Sequence, residues 1–343
     1  MTDLTEKRRF DTIKMEWKVL NSISVLLTNA SKLTIGLYAV SDGQGIMDEL
    51  IINICQATFH DEPAKIKRCS VGLANYVFIV EIKGSKYTVR LSTEKNAYND
   101  TVRLLGKLME MGIPVPRVLY CGSFEQYDYV VLSYIEGEEL WAVYKQLTKE
   151  DKKILAKEIV HIQREVSLRL SEHAEDWTWL DFVHEILDRA KVLIDENGFF
   201  ETEKVIRVES QIPILQMYFE KVEPMPYLDD VTTKNLLVKD GHISGIIDVD
   251  WIGMGDVLTF AALTYVALLN MGYDTDYVSF ILDEMDADDI QRKAFLFYSL
   301  MYCVDFMGER GTKYKDKVVE VNSQIIDRLN DIYDRLWNEW RSL

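Results

Sequence analysis

Three residues in one short stretch of the chain have the types and spacing that phosphoryl transfer needs. Asp230 is followed five residues later by Asn235, and thirteen residues after that by Asp248, at the end of an apolar run. The reaction calls for a carboxylate to orient an attacking hydroxyl and accept its proton, an amide oxygen to hold one Mg2+, and a second carboxylate to bridge the metals. Hard oxygen donors of this kind suit Mg2+, with nucleotide phosphates and waters completing the octahedron.

The elements that must position these groups follow from periodicity. Between Asn235 and Asp248, the β-rich runs Leu236–Val238 and Ile243–Asp248 flank Lys239-Asp240-Gly241, so a hairpin should bring Asn235 and Asp248 together. The sequence on either side of 227–256 reads as helix. A capping box at Thr148 and Asp151 precedes Ile154, Leu155, Ile159, Ile162 and Val166 on one face. Further helices are expected at about 177–196, 201–221, 257–270, 276–284, 288–308 and 315–340. Upstream of about residue 135 the pattern differs. Lys65–Val71, Ala74–Ile82 and Lys86–Leu91 read as an antiparallel meander, a helix runs from about Tyr98 to Met111, and Arg117–Ser123 and Tyr129–Tyr134 complete a small sheet. An acidic loop and hairpin set into a helical region is where chemistry should be sought.

Composition narrows the function. The 343 residues include 56 acidic and 39 basic side chains, for a formal charge of −17. Nucleic acid as main partner is excluded, since phosphate backbones require clustered Lys and Arg. The acidic field suits a cationic or polar small molecule, and solubility alone accounts for it equally well. With 48% hydrophobic residues and only 17 Gly and 6 Pro, most of the chain must fold, as about two domains or one bilobal unit with a cleft. Cys55, Cys69, Cys121 and Cys303 have neither zinc-site spacing nor disulfide density and are expected to be buried thiols of a cytoplasmic protein. The stretch Val19–Val40, broken by Asn21, Ser22, Ser24, Asn29, Ser31 and Lys32, is too polar for a signal or membrane span.

Asp-x4-Asn followed by a β-hairpin and Ile-Asp resembles the catalytic and metal-binding loops of protein-kinase-like enzymes. More closely, Asp230–Asn235, Ser-Gly-Ile-Ile-Asp at 244–248 and Gly255-Asp256 resemble the aminoglycoside phosphotransferase family, which includes kinases for choline, homoserine and methylthioribose. Val71–Phe78 resembles the family's nucleotide-covering hairpin, which would set Gly72 and Asn75 near the phosphates. Gly112–Pro116 resembles its Pro-Val-Pro turn. Val130–Gly137 resembles its interlobe linker, whose backbone at Ser133 and Ile135 would bond adenine.

The resemblance covers about residues 46 to 260 and implies an α+β, protein-kinase-like bilobal fold. A helical extension would span 1–45, a small N-lobe with an antiparallel sheet and a helix 46–134, and a larger, mainly helical C-lobe 135–343. It also implies an ATP-dependent phosphotransferase that moves the γ-phosphoryl group to a hydroxyl of a small molecule, with Mg2+ and with ATP or GTP as donor. Asp230 would be the base, Asn235 and Asp248 the metal ligands and Arg90 a phosphate contact, with Asp229 and Asp250 the suggested acceptor contacts. Metabolite kinases of the same fold, for choline, homoserine, methylthioribose or sugars, are the alternative, as is a nucleotide-binding pseudokinase.

Three departures from the family's pattern matter. Leu228 stands where the catalytic loop usually opens with His, and Arg90 stands where protein kinases place Lys. Arginine keeps the charge and adds a bidentate fork for phosphate. The helix position that should offer Glu falls at Asn99, Asp100 and Thr101, so Asp100 is the expected partner of Arg90. Other residues have two readings. Asp250 assists the metal or attracts a cationic acceptor, or else makes a structural hydrogen bond. Trp177, Trp179, Trp337 and Trp340 line an acceptor pocket or anchor helix contacts. Asp256 is read as the N-cap of the helix beginning near Leu258.

Overall fold

The structure, a computed structural model, describes residues 43–69, 76–171, 178–314 and 317–343. Gly72, Asn75, Trp177 and all of the expected extension up to residue 42 lie outside the described residues.

Helix α1 (Gly43–Phe59) leads into β1 (Lys65–Cys69), β2 (Tyr76–Ile82) and β3 (Ser85–Ser92), followed by α2 (Asn99–Glu110), β4 (Val118–Phe124) and β5 (Tyr127–Ser133). The five strands form one antiparallel sheet in the order β1-β2-β3-β5-β4. Alternation across the pleat divides its side chains between two cores. Phe78, Val80, Val89, Leu91 and Val131 pack with Ile51 and Ile54 of α1. Val130 and Leu132 instead join Leu104, Leu105 and Leu108 of α2 in the larger core that continues into the helices. Arg90 lies between Val89 and Leu91 and opposite Val130, so it belongs to the α2 face.

Past the linker come β6 (Glu138–Glu139), α3 (Leu140–Val143), α4 (Lys149–Arg169), α5 (Trp179–Asn197), α6 (Glu203–Glu209) and α7 (Ile212–Phe219). Strands β7 (Pro226–Tyr227), β8 (Leu236–Lys239), β9 (His242–Ile246) and β10 (Gly253–Met254) interrupt the helices where the acids sit. Helices α8 (Leu258–Asn270), α9 (Asp276–Glu284) and α10 (Asp289–Gly308) follow, then β11 (Lys313–Tyr314), β12 (Lys317–Val318) and α11 (Ser323–Ser342). Helix α8 along its whole length and α10 from Ala294 to Gly308 are buried on every face, as helices central to a bundle must be. No helix among the described residues is long and apolar enough to cross a membrane.

The capping box at Thr148 and Asp151 forms as expected, with Thr148 N–H donating to Asp151 at 2.8 Å. Two helical expectations change. The run 201–221 divides into α6 and α7, because Pro213 takes the first turn of a new helix, where its missing N–H costs nothing. The last helix starts at Ser323, N-capped by Asn322, since residues before it form the β11–β12 ribbon. The cysteine expectation also changes in part. Cys55 and Cys303 are buried, Cys69 is half-buried and Cys121 is exposed on edge strand β4.

Candidate active site

Strands β7 and β10 pair through Tyr227 with Gly253 and Pro226 with Met254, framing the loop that carries Asp230. The loop is wound tightly: Asn235 N–H donates to the Thr232 carbonyl at 3.0 Å, and the Asn235 side-chain amide donates to the Asp230 carbonyl at 2.9 Å. With its Nδ2 committed there, Asn235 keeps Oδ1 as its side-chain acceptor. The expected hairpin forms, with Leu236 opposite Ile246, and Ile247 N–H donates to the Asn235 carbonyl at 2.9 Å. Asp248 is therefore the next residue along, beside Asn235. Its backbone is left-handed, with φ of +63°, a conformation that costs about 1–2 kcal/mol outside glycine. Asp is among the few residues that adopt it readily.

Leu228, in the place of the expected His, is gripped by a residue that sequence reading passed over. Gln163 of α4 donates its Nε2 to the Leu228 carbonyl at 2.7 Å and accepts Leu228 N–H at 2.9 Å. One turn further along α4, the Ser167 hydroxyl donates to the Pro226 carbonyl at 2.8 Å. The signal was present: Gln163 is a polar residue in the apolar stripe of Ile159, Ile162 and Val166, where burial obliges it to find partners.

Arg90 is only 5% exposed. It donates Nη1 to Asp250 Oδ1 at 3.0 Å and Nη2 to Asp250 Oδ2 at 2.5 Å, and Nη2 also meets Asp248 Oδ1 at 3.1 Å. The Thr101 hydroxyl of α2 donates to Asp250 Oδ1 at 2.7 Å. The guanidinium lies over the Tyr98 ring, 5.5 Å from its centroid. Asp100 makes its ion pair with Arg103, at 3.6 Å, so the expected Asp100 partnership is replaced by Asp250. Asp100 is on the exposed side of its turn, whereas Thr101 is buried toward the sheet.

Burial chiefly, then the charges of Asp229 and Asp248, hold the Asp230 carboxyl well above the usual carboxylate range, while Lys234 and Asn235 pull it back. Burial pushes the Lys234 ammonium down to about 7, against the pull of Asp230 and Glu139. Lys234 is a second residue that spacing alone did not single out. Asp229 lies where its charge also raises Tyr227 and Tyr302, after the larger effect of burial on each. Crowded carboxylates of this kind favour a bound cation. Among the described residues, no group of three or more His, Cys, Asp or Glu could hold a metal ion by itself. Asn235 and Asp248 instead offer two hard oxygen donors, the sparse set Mg2+ accepts when phosphates and waters supply the rest.

The linker lies directly on the hairpin. A Cβ on Gly245 would come 2.7 Å from Ile135 Cγ2, and one on Gly137 would overlap Ser244 Oγ. Ser133 N–H donates to the Arg117 carbonyl, and its hydroxyl accepts Arg117 N–H, each at 2.9 Å. Asp256 accepts Leu258 N–H at 3.0 Å, but the N-cap position expected for it falls to Val257; it also accepts the hydroxyls of Tyr218 and Tyr298 at 2.6 and 2.8 Å. Trp179 takes the anchoring role of its two readings. It is a buried anchor that donates Nε1 to the Tyr298 hydroxyl, and it lines a cavity of about 480 Å³ with Leu180, Phe219, Val222, Pro224 and Met254. Trp340 is a buried anchor on Gln211.

A family model described as the phosphotransferase enzyme family matches residues 65–278. Among solved structures, a ternary complex of aminoglycoside phosphotransferase APH(4)-Ia with ADP and hygromycin B has a TM-score of 0.61 at 15% identity, covering 85% of this chain and 98% of that one. ADP-bound APH(2'')-Ib gives 0.58 at 15% identity, with coverages of 85% and 98%. The streptomycin–ATP ternary complex of APH(2'')-IIa gives 0.54 at 14%, with 88% and 97%. Identities this low speak to the fold, and the fold is the α+β, kinase-like one that the sequence resemblance implied. Comparison with curated proteins gave no match.

Proposed function

The chain belongs to the phosphotransferase enzyme family, and from that premise we propose that it acts on hydroxyl groups, moving the γ-phosphoryl group of ATP to a small-molecule alcohol. The observation that carries the reading is the closure of the Asp230–Asn235 loop onto the strand end bearing Asp248, through Ile247 N–H and the Asn235 carbonyl. Asp230 would orient the acceptor hydroxyl and take its proton. Asn235 Oδ1 and the Asp248 carboxylate would hold Mg2+. When bound, that ion would supply positive charge to offset the negative charge that develops on the transferring phosphoryl group. Arg90 would contact the phosphates, and the linker at Ser133 and Ile135 would bond adenine. The backbone N–H of Ser133 is engaged by the Arg117 carbonyl, so its backbone contact would fall to the Ser133 carbonyl.

The acceptor has two readings. The structural neighbours include proteins bound to hygromycin B, streptomycin and gentamicin. A polycationic acceptor also suits a chain of charge −17, with Asp229 beside the base as its contact. The cavity favours a different molecule, a hydroxy compound with an apolar body of the metabolite-kinase type, because Trp179, Leu180, Phe219, Val222, Pro224 and Met254 leave Thr178 and Glu220 as its polar side chains among the described residues. Its rim at Met254 pairs with Pro226, only four residues before Asp230, a span of at most about 14 Å.

The test is Mg2+-dependent release of ADP from ATP, and in parallel GDP from GTP. The panel comprises aminoglycosides, choline-like amines, hydroxy amino acids, nucleosides and simple sugars, with Asp230→Asn as the blank. Acceptor-dependent release that vanishes in the variant supports the proposal and identifies the acceptor class. Equal release from the variant would sink it, and nucleotide binding without transfer to any acceptor would favour a pseudokinase.

A further inference from the structure

Resting on the kinase reading above, we propose that Asp250 is the positioning residue that aims Arg90 at the nucleotide phosphates, in the place where an acid on α2 was expected. The carboxylate faces the guanidinium edge-on, with both oxygens matched to two nitrogens at 3.0 and 2.5 Å. That fork-to-fork geometry fixes the plane of the arginine as well as its position. Tyr98 closes one face of the guanidinium. Arg90 has little room to turn away.

Helix α2 still takes part, but with a neutral group. The Thr101 hydroxyl donates to the same Asp250 oxygen that Nη1 contacts, at 2.7 Å, and Thr101 is 1% exposed. A carboxylate at that position would face Asp250 and repel it, so an acid in the loop and a hydroxyl on the helix form a complementary pair. Arg90, Thr101 and Asp250 come from β3, α2 and the segment after β9. The three therefore join the sheet, its helix and the segment beside the proposed metal site.

This arrangement also couples the arginine to the metal site. Nη2 already touches Asp248 at 3.1 Å as well as Asp250. With the Asp250 charge removed, a buried guanidinium must take its compensation from Asp248, drawing that carboxylate away from a cation. Loss of Asp250 should then weaken nucleotide binding and raise the Mg2+ requirement together. A residue that merely stabilised the fold would not move the second quantity.

The experiment measures Mg–ATP affinity by calorimetry, and the Mg2+ concentration for half-maximal binding at fixed ATP, for the full chain and for Asp250→Asn, Thr101→Val and Asp100→Asn. Asp250→Asn should weaken Mg–ATP about 10–100-fold and shift the Mg2+ midpoint upward. Thr101→Val, which leaves every charge in place, should cost about 5-fold, and it carries the test if Asp250→Asn does not fold. Asp100→Asn should match the parent. A parent that binds Mg–ATP while Asp250→Asn binds equally well, or while Asp100→Asn loses as much, overturns the role of Asp250 alone. A parent that binds no Mg–ATP overturns the kinase reading and this inference with it.

Discussion

Asp230 and Arg90 are held in place by different physics. The loop of Asp230 rests on neutral hydrogen bonds from one helix, with Gln163 on both backbone groups of Leu228 and Ser167 on Pro226. Arg90 is held by charge, on Asp250 and Asp248 from 160 and 158 residues further along the chain. A neutral buried clamp has the same strength whether or not a ligand is present. An ionic one shares its charges with whatever binds, because phosphate competes for the guanidinium and a cation for the carboxylates. The Asp230 loop should therefore be a preformed platform and the arginine centre the part that answers to nucleotide.

The largest effect expected from this contrast is on turnover. Asp230→Asn should lower kcat by about 10²–10⁴-fold, the usual contribution of a positioned base, while Mg–ATP affinity stays near that of the parent. The Asp230 backbone carbonyl, which the substitution keeps, accepts from the Asn235 amide at 2.9 Å. Single-turnover rates and calorimetry check the two halves. A variant losing nucleotide affinity as steeply as rate would show that the platform and the ionic centre are one unit.

Next in size is the clamp itself. Gln163→Leu keeps the volume but strands a buried N–H and a buried carbonyl at Leu228, each costing about 1–3 kcal/mol. Thermal unfolding should shift down, and kcat should fall more than Mg–ATP affinity, since the Asp230 loop is what loosens. Unchanged melting would mean that Gln163 is not what replaces the family's histidine.

The same contrast explains what could be read from the sequence. Asp230, Asn235 and Asp248 were legible because a loop and a hairpin place them by local spacing, and the β8–β9 register keeps that promise. The sheet, α2 and α4 were legible from periodicity and from the Thr148 capping box. The Arg90 partner was not, because helical spacing could offer only the neighbouring Asp100, whereas Asp250 meets Arg90 by tertiary folding across 160 residues. Gln163 was half-legible, as a polar residue in an apolar stripe whose partner no local rule could name. The break between α6 and α7 could have been read from Pro213.

A smaller effect is expected where the linker crosses the hairpin. Gly137 has φ of +153° and is closely packed, with a Cβ there overlapping Ser244 Oγ and lying 3.1 Å from the Val238 carbonyl. The neighbouring pair Glu138 and Val238 ties β6 to β8. Gly137→Ala should lift the linker off the hairpin, costing about 1–3 kcal/mol of stability and weakening adenine nucleotides without changing the Mg2+ midpoint. A raised Mg2+ midpoint would place the linker in the ionic centre instead.

The smallest effect tests the ionic side of the contrast on α4 itself. Glu158, five residues before Gln163, accepts Ile243 N–H at 2.8 Å and contacts His242 Nδ1 at 2.5 Å, tying β9 to the helix with an exposed charge. The hydrogen bond to Glu158, then its charge, raises the His242 pKa above its ordinary 6.5. A folded-state pKa above the unfolded one gives stability that is fully present below about 6.5 and disappears as pH rises through the folded value. The melting temperature of His242→Gln should therefore fall below the parent's in mildly acidic buffer and converge with it in alkaline buffer. Because both partners face solvent, added salt should shrink even the acidic difference, whereas the deficit of Gln163→Leu should be the same at every salt concentration. A salt-insensitive His242 effect would mean that exposure does not separate the two kinds of contact on this helix.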